Sequence, residues 1–258
     1  MLLAIDIGNT NIKSGIFDGD TLIRTLTISC NRDKTSDEYA ADLYSMIRLL
    51  GIQRTDFDGC IISSVVPNVT GRIQSAVRDM LGVEALVVGP GVKTGLNIRI
   101  EDPSQLGADL VTACVAANAR YPAPCIVISM GTATVMCVID KNRAMLGGPI
   151  APGVMVSLNA LTGNAALLVS VSLDAPKSVI GNNTDRSIRS GVVWGTACMI
   201  DGMIDKIEAE LGDQCSIVAT GGMAKSIIKY CTHEITVQDD LIMQGLKLIY
   251  DRNKKDNR

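Results

Sequence analysis

One short phrase is written twice in this chain, and that duplication constrains the fold more than any other feature. The first copy runs Leu3-Ala4-Ile5-Asp6-Ile7-Gly8-Asn9-Thr10-Asn11 and continues through Ile12 and Lys13 into an apolar stretch ending at Phe17 and Asp18. The second runs Ile126-Val127-Ile128-Ser129-Met130-Gly131-Thr132-Ala133-Thr134 and continues through Val135 and Met136 to Ile139 and Asp140. Each copy reads as a buried strand, a tight glycine turn rich in hydroxyl and amide groups, and a second strand. A turn of this kind lets the backbone approach a ligand closely and aim its N–H groups at phosphate oxygens. Two copies half a chain apart imply duplicated halves facing each other across a phosphate-binding cleft.

The remaining segments follow the same plan. In the first half, strands at 2–7, 12–17 and 21–29 are joined by the glycine turn and by Asp18-Gly19-Asp20. A helix spans Thr35 to Leu50, with apolar or aromatic residues at helical spacing and Gly51 as a stop. A buried strand lies within Asp58–Pro67, a helix over 68–81 and a short strand at 85–88. The second half has strands at 124–129, 134–139 and 144–147, then the glycine-rich Gly147–Gly153, helices, and a strand at 216–220 entering Gly221-Gly222. This order predicts two mixed α/β domains, 1–121 and 122–258, with the last helix free to pack back on the first. Asp251 to Arg258 reads as a solvated, frayed tail.

Bulk properties narrow the function. Net charge is −3 with Lys and Arg dispersed, and aromatics are 3% of the chain, so neither a nucleic-acid footprint nor a base-stacking platform is present. Apolar residues make up 47%, which suits large cores or a buried oligomer interface. The eight cysteines have no metal-ligand spacing and read as small buried hydrophobes of a reducing cytosol. The single histidine, His233, reads as part of a surface connection, which excludes a zinc site and a His-based triad. The start has no basic flank, and no apolar run reaches the ~18 residues that span a bilayer. A cytoplasmic protein without a membrane partner is expected.

Among candidate site residues, Gly8, Asn9, Thr10 and Asn11 are placed to grip phosphate oxygens. Asp6 is placed to hold a hydrated Mg²⁺, which takes one or two carboxylates plus waters. Lys13 fits equally as a phosphate ligand or as a solvated strand lysine. Asp109, in Gly107-Ala108-Asp109, reads as a helix N-cap that could also accept a proton from an attacking hydroxyl. Gly181-Asn182-Asn183-Thr184 reads either as a turn opening a helix from Asp185 or as a substrate loop.

The ordered set of these motifs, with Gly131-Thr-Ala-Thr134, Gly147-Gly-Pro-Ile-Ala-Pro-Gly153, Ser190-Gly191, Thr220-Gly-Gly222 and Asp240–Leu246, resembles the type III pantothenate kinases nearly end to end. The resemblance implies kinship with the actin, hexokinase and acetate kinase fold, which is ribonuclease H-like. It also implies transfer of the γ-phosphoryl of ATP to the primary hydroxyl of pantothenate, the opening step of coenzyme A biosynthesis. Carried over, it assigns Asp6, Ile7, Gly8, Asn9, Thr10, Asn11, Ile12 and Lys13, with Thr132, Gly221 and Gly222, to ATP. Asp6 goes to Mg²⁺ as well, Asp109 becomes the general base, and Thr184 a pantothenate contact with Gly107 and Ala108. It further implies a dimer and a monovalent cation, K⁺ or NH₄⁺.

Three positions depart from that pattern. Leu110 stands where the family has the arginine that pairs with the pantothenate carboxylate. Ile100 replaces a tyrosine of the pantothenate pocket, and Ser129 replaces the aspartate that holds the monovalent cation. Losing one charged hydrogen bond costs ~1.5–3 kcal/mol, roughly tenfold to a hundredfold in binding. Besides an active pantothenate kinase, the departures therefore leave two alternatives. One is a catalytically degenerate paralogue that pairs with an active one as a heterodimer. The other is a kinase for a related alcohol lacking the carboxylate.

Overall fold

The structure is a computed structural model that describes residues 1–163, 173, 174 and 176–255. The chain divides into two compact units, Met1–Gly95 with Asp102–Ala116 and Leu241–Arg258, and Leu96–Glu101 with Ala117–Asp240.

The first unit is built on a five-stranded sheet of β1 (Leu2–Ile7), β2 (Asn11–Asp18), β3 (Thr21–Ser29), β4 (Gly59–Ser64) and β5 (Ala85–Val87), ordered β3-β2-β1-β4-β5. Strand alternation sorts β1 into two faces. Leu3, Ile5 and Ile7 join Cys60 and Ile62 against Tyr39, Leu43 and Ile47 of α1 (Ser36–Leu49) and Val69, Ile73 and Val77 of α2 (Pro67–Leu81). A capping box fixes the start of α1, since Thr35 and Glu38 each accept the other's backbone N–H.

The opposite face carries Leu2, Ala4 and Asp6, and α7 (Leu241–Lys255) packs there. Glycines admit it. A Cβ on Gly59, the register partner of Leu2, would lie 1.7 Å from the Tyr250 hydroxyl. One on Gly245 of α7 itself would lie 2.0 Å from the carbonyl of Thr112 in α3 (Ala108–Arg120). The chain's end is therefore helical through Lys255 rather than frayed from Asp251, because α7 has an apolar face to bury. Residues 256–258 of that expected tail lie outside the described residues.

The second unit repeats the topology. Strands β9 (Ala144–Gly147), β8 (Ala133–Ile139), β7 (Cys125–Met130), β11 (Ser216–Thr220) and β12 (Thr236–Val237) follow one another in the order β9-β8-β7-β11-β12, with the same pattern of antiparallel and parallel pairs. It adds β6 (Asn97–Ile98) beside β9 and β10 (Ile150–Pro152) beside β8. Ile126, Ile128 and Met130 pack against Val193, Ala197, Ile200 and Ile204 of the long helix α5 (Thr184–Leu211). Helix α4 (Val154–Gly163) precedes it, and α6 (Ala224–Ile227) follows β11. The short strands β6, β10 and β12 were not predicted, since two or three residues carry no periodicity.

His233 lies in the connection before β12, as expected, and is partly buried there. Its Nδ1 lies 2.9 Å from Asp201 and its Nε2 3.2 Å from Asp205, both on α5. Cys60, Cys114, Cys125 and Cys137 are buried as expected, while Cys198 is exposed. Among the described residues no helix is long and apolar enough to cross a membrane.

Candidate active site

In the first unit the site begins where the row Leu2, Ala4, Asp6 runs off the end of β1. Asp6 pairs in register with Lys13 on β2 and Ser63 on β4, so both flank it on the same face. The turn beyond it closes with the Gly8 N–H donating to the Asn11 carbonyl at 3.0 Å. A Cβ on Gly8 would lie 3.2 Å from that carbonyl oxygen. Asn9, Thr10 and Asn11 are exposed at the tip. Ile7 and Ile12 are wholly buried, so they support the turn from beneath and do not reach a ligand through their side chains.

The close crossing of α3 and α7 fixes the second carboxylate. Asp109 sits in the first turn of α3, one turn before Thr112. It is not the N-cap expected for it, because Ala108 is already helical and the Gly107 carbonyl accepts from Leu110 and Val111. The Asp109 carboxylate instead accepts from the Leu110 N–H at 2.9 Å. A Cβ on Gly107 would lie 2.4 Å from Asp109 Oδ1, so glycine there leaves room for the carboxylate. Leu110 is half-buried beside it.

The electrostatics follow from this burial. Asp6 Oδ1 is inaccessible and has no hydrogen-bond partner. Desolvation, then the charge of Asp109, push the Asp6 pKa from 3.8 up to about 7, against smaller opposing effects of Ser63 and Lys13. The Ser63 hydroxyl lies near Asp6 without reaching hydrogen-bond geometry, and it too is buried and unpartnered. Burial also raises Asp109, tempered by the backbone N–H groups of Leu110 and of Asp109 itself. A buried carboxylate oxygen with no donor, beside a second carboxylate, is suited to a hard cation. Ser63 was missed at the sequence level; the polar end of an otherwise apolar strand was its signal.

The second unit repeats the frame with different chemistry. Ser129 occupies the place of Asp6, flanked in register by Val135 and Thr220, where the first unit has Lys13 and Ser63. The turn is one residue shorter than the repeated phrase suggests, because Gly131 donates to the Ala133 carbonyl at 3.0 Å and Met130 pairs with Thr134. Thr132 is exposed at its tip, and its carbonyl accepts from Gly153 at 3.0 Å. Gly221, at φ +103, passes so close to Met130 that a Cβ would lie 2.4 Å from its carbonyl oxygen, and Gly222 is exposed beyond it. Ile100 is half-buried, with Cγ2 3.4 Å from a Cβ placed on Gly147.

Asn183 caps α5, accepting from the Arg186 N–H at 2.9 Å, so Thr184 is the first helical residue. The segment thus opens the helix, and Thr184 also lines a cavity of about 1080 Å³ with Pro152, Ser157, Leu161, Gly191 and Met199. Asp6, Gly8, Asn9, Thr10, Asn11, Lys13, Gly107, Asp109 and Leu110 thus belong to the first unit. Ile100, Ser129, Thr132, Thr184, Gly221 and Gly222 belong to the second.

Solved structures share this fold across nearly their whole length. A conserved Baf family protein from Campylobacter jejuni aligns at a TM-score of 0.62 and 20% identity, covering 98% of this chain and 99% of that one. Component A of the (R)-2-hydroxyglutaryl-CoA dehydratase of Acidaminococcus fermentans aligns at 0.56 and 15%, covering 99% and 98%. The duplicated α/β units have the actin- and hexokinase-like fold. Sequence is more specific than fold. The type III pantothenate kinase family description matches residues 2–206. Curated relatives named type III pantothenate kinase include one from Shouchella clausii, 43% identical over 98% of this chain and 100% of its own length. Another from Roseiflexus sp. is 42% identical over 98% and 100%. Similarity of that depth, running through both glycine turns and the Asp109 helix, goes well beyond shared architecture: the chain belongs to the type III pantothenate kinase family.

Proposed function

We propose that this chain phosphorylates pantothenate with ATP, giving 4'-phosphopantothenate for coenzyme A biosynthesis. Family membership supports the activity, and one observation carries the placement of the chemistry. The buried, unpartnered Oδ1 of Asp6 and the neighbouring carboxylate of Asp109 stand at the end of β1, where the Gly8–Asn11 turn, exposed at its tip, follows. Asn9, Thr10 and Asn11, at the exposed tip, bind phosphate oxygens of ATP, with Gly8 closing the turn beneath them and Lys13 adding charge from the next strand. Thr132, Gly221 and Gly222 are the further residues that the family resemblance assigns to ATP. When bound, Mg²⁺ would neutralise phosphate charge, and Asp6 is the side chain that would hold it. Asp109 accepts the proton of the primary hydroxyl as that oxygen bonds to the γ-phosphorus, and the bond from γ-phosphorus to the bridging oxygen breaks to release ADP. A carboxylate raised by burial is a better base than one in water.

Substrate recognition departs from the family pattern at Leu110, in the place of an arginine, and at Ile100, in the place of a tyrosine. The Ser129 position offers neutral hydroxyls, its own and that of Thr220, and does not fit a tightly held monovalent cation. Among the described residues no three His, Cys, Asp or Glu side chains gather as a further metal site. The exposed Met155, Val156 and Leu161 of α4, beside the Thr184 cavity, support a dimer through this face. Phosphorylated product should form from ATP, Mg²⁺ and pantothenate with the purified chain alone. If an alcohol analogue lacking the carboxylate is the far better acceptor, the pantothenate assignment fails. If product forms only with an active paralogue, this chain is a supporting subunit.

A further inference from the structure

The loop after β3 is held far more firmly than an exposed connection requires, and it leans on the glycine turn of the first unit. The Cys30 N–H donates to the Thr10 carbonyl at 2.9 Å. Asn31 exchanges two hydrogen bonds with the hydroxyl of Tyr39, whose side chain is wholly buried. Arg72, on α2, donates from Nη1 to the carbonyls of Arg32 and Lys34. These bonds hold Cys30, Asn31, Arg32 and Lys34 in place along the loop, and from it the Arg32 Nη2 donates to Asn9 Oδ1 at 3.1 Å. A guanidinium has donors only, so the contact dictates the orientation of the Asn9 amide. Its oxygen must face Arg32, which leaves the NH₂ end to donate elsewhere.

We propose that Arg32 is a positioning residue of the phosphate-binding turn: it holds the Asn9 amide with its donor edge free for a phosphate oxygen of ATP. The inference rests on reading residues 8–11 as the ATP turn. Lysine cannot replace this function fully, since its single flexible ammonium does not reproduce the planar fork.

The test is ATP binding, by titration calorimetry with Mg-ATP, to wild type, R32M, R32K, N9A, R32M/N9A and K13M, alongside their melting temperatures. R32M should weaken ATP about tenfold with an unchanged melting temperature, and R32K should recover only part of this. The double variant should bind within about twofold of N9A, because Arg32 acts through Asn9. ATP affinity in R32M equal to wild type would overturn the proposal, as would losses that multiply in the double variant. If N9A and K13M also bind ATP like wild type, the reading of the turn itself falls, and the proposal with it. A variant that melts early is replaced by R72M, which should give the R32M phenotype through release of the loop; wild-type affinity there overturns the proposal.

Discussion

Replacing Asp6 with asparagine should make the unliganded protein more stable at alkaline pH while removing its ability to use Mg-ATP. The magnitude follows from burial. Asp6 titrates near 3.8 when solvated and at about 7 in the fold, a gap of roughly three pH units. At 1.36 kcal/mol per unit, holding that carboxylate ionised in its buried place costs about 4 kcal/mol, an upper figure. The sign is fixed by proton uptake. Between pH 4 and 7 the folded state binds more protons at this position than the unfolded chain, so stability falls as pH rises through that window. Asn carries no such penalty. Urea unfolding of both proteins at pH 8 and pH 4.5 measures the difference directly. D6N should exceed wild type by up to about 4 kcal/mol at pH 8, with most of the gap closed at pH 4.5. Mg-ATP should raise the midpoint of wild type and leave D6N nearly unmoved. A D6N protein less stable than wild type at pH 8, or a gap independent of pH, would refute the electrostatic account.

Other consequences can be checked separately. L110R should restore a carboxylate partner beside Asp109 and lower the KM for pantothenate by roughly tenfold to a hundredfold; an unchanged KM would show that Leu110 does not face the substrate. Exchanging K⁺ for Na⁺ in the assay should change turnover less than twofold, given neutral Ser129, and S129D should introduce a K⁺ requirement. His233, whose pKa is raised chiefly by its hydrogen bond to Asp201, also feels Asp205 and Glu208. Its contribution is fully present below about pH 6.5 and is lost as pH rises through its folded pKa. H233Q should therefore lower the melting temperature most near pH 6, with the deficit shrinking toward pH 9.

How far the sequence foretold this molecule depended on the kind of signal. The duplicated strand–turn–strand phrase announced two α/β units of one topology, because period-two burial and glycine turns are local properties. Asp6 and Asp109 lie 103 positions apart in the chain, yet each was marked by a glycine motif of its own. What remained hidden was non-local. Nothing local marks Ser63 as the neighbour of Asp6, since strand register creates that relation. The helical tail could not be read from its charges, since the sheet face that covers its apolar side lies more than two hundred residues away. The second turn is one residue shorter than the first despite the repeated letters, because hydrogen bonding closes it one residue early. The acidic partners of His233 were likewise hidden as non-local neighbours, since both come from α5.

The most direct test of the central claim compares phosphopantothenate formation by wild type and D109N under saturating Mg-ATP and pantothenate. Loss of the base should lower kcat by about 10²–10⁴-fold while ATP affinity stays close to wild type and the melting temperature does not fall. A D109N enzyme that turns over at the wild-type rate would contradict the account, because the chemistry would then lie outside the Asp6–Asp109 site.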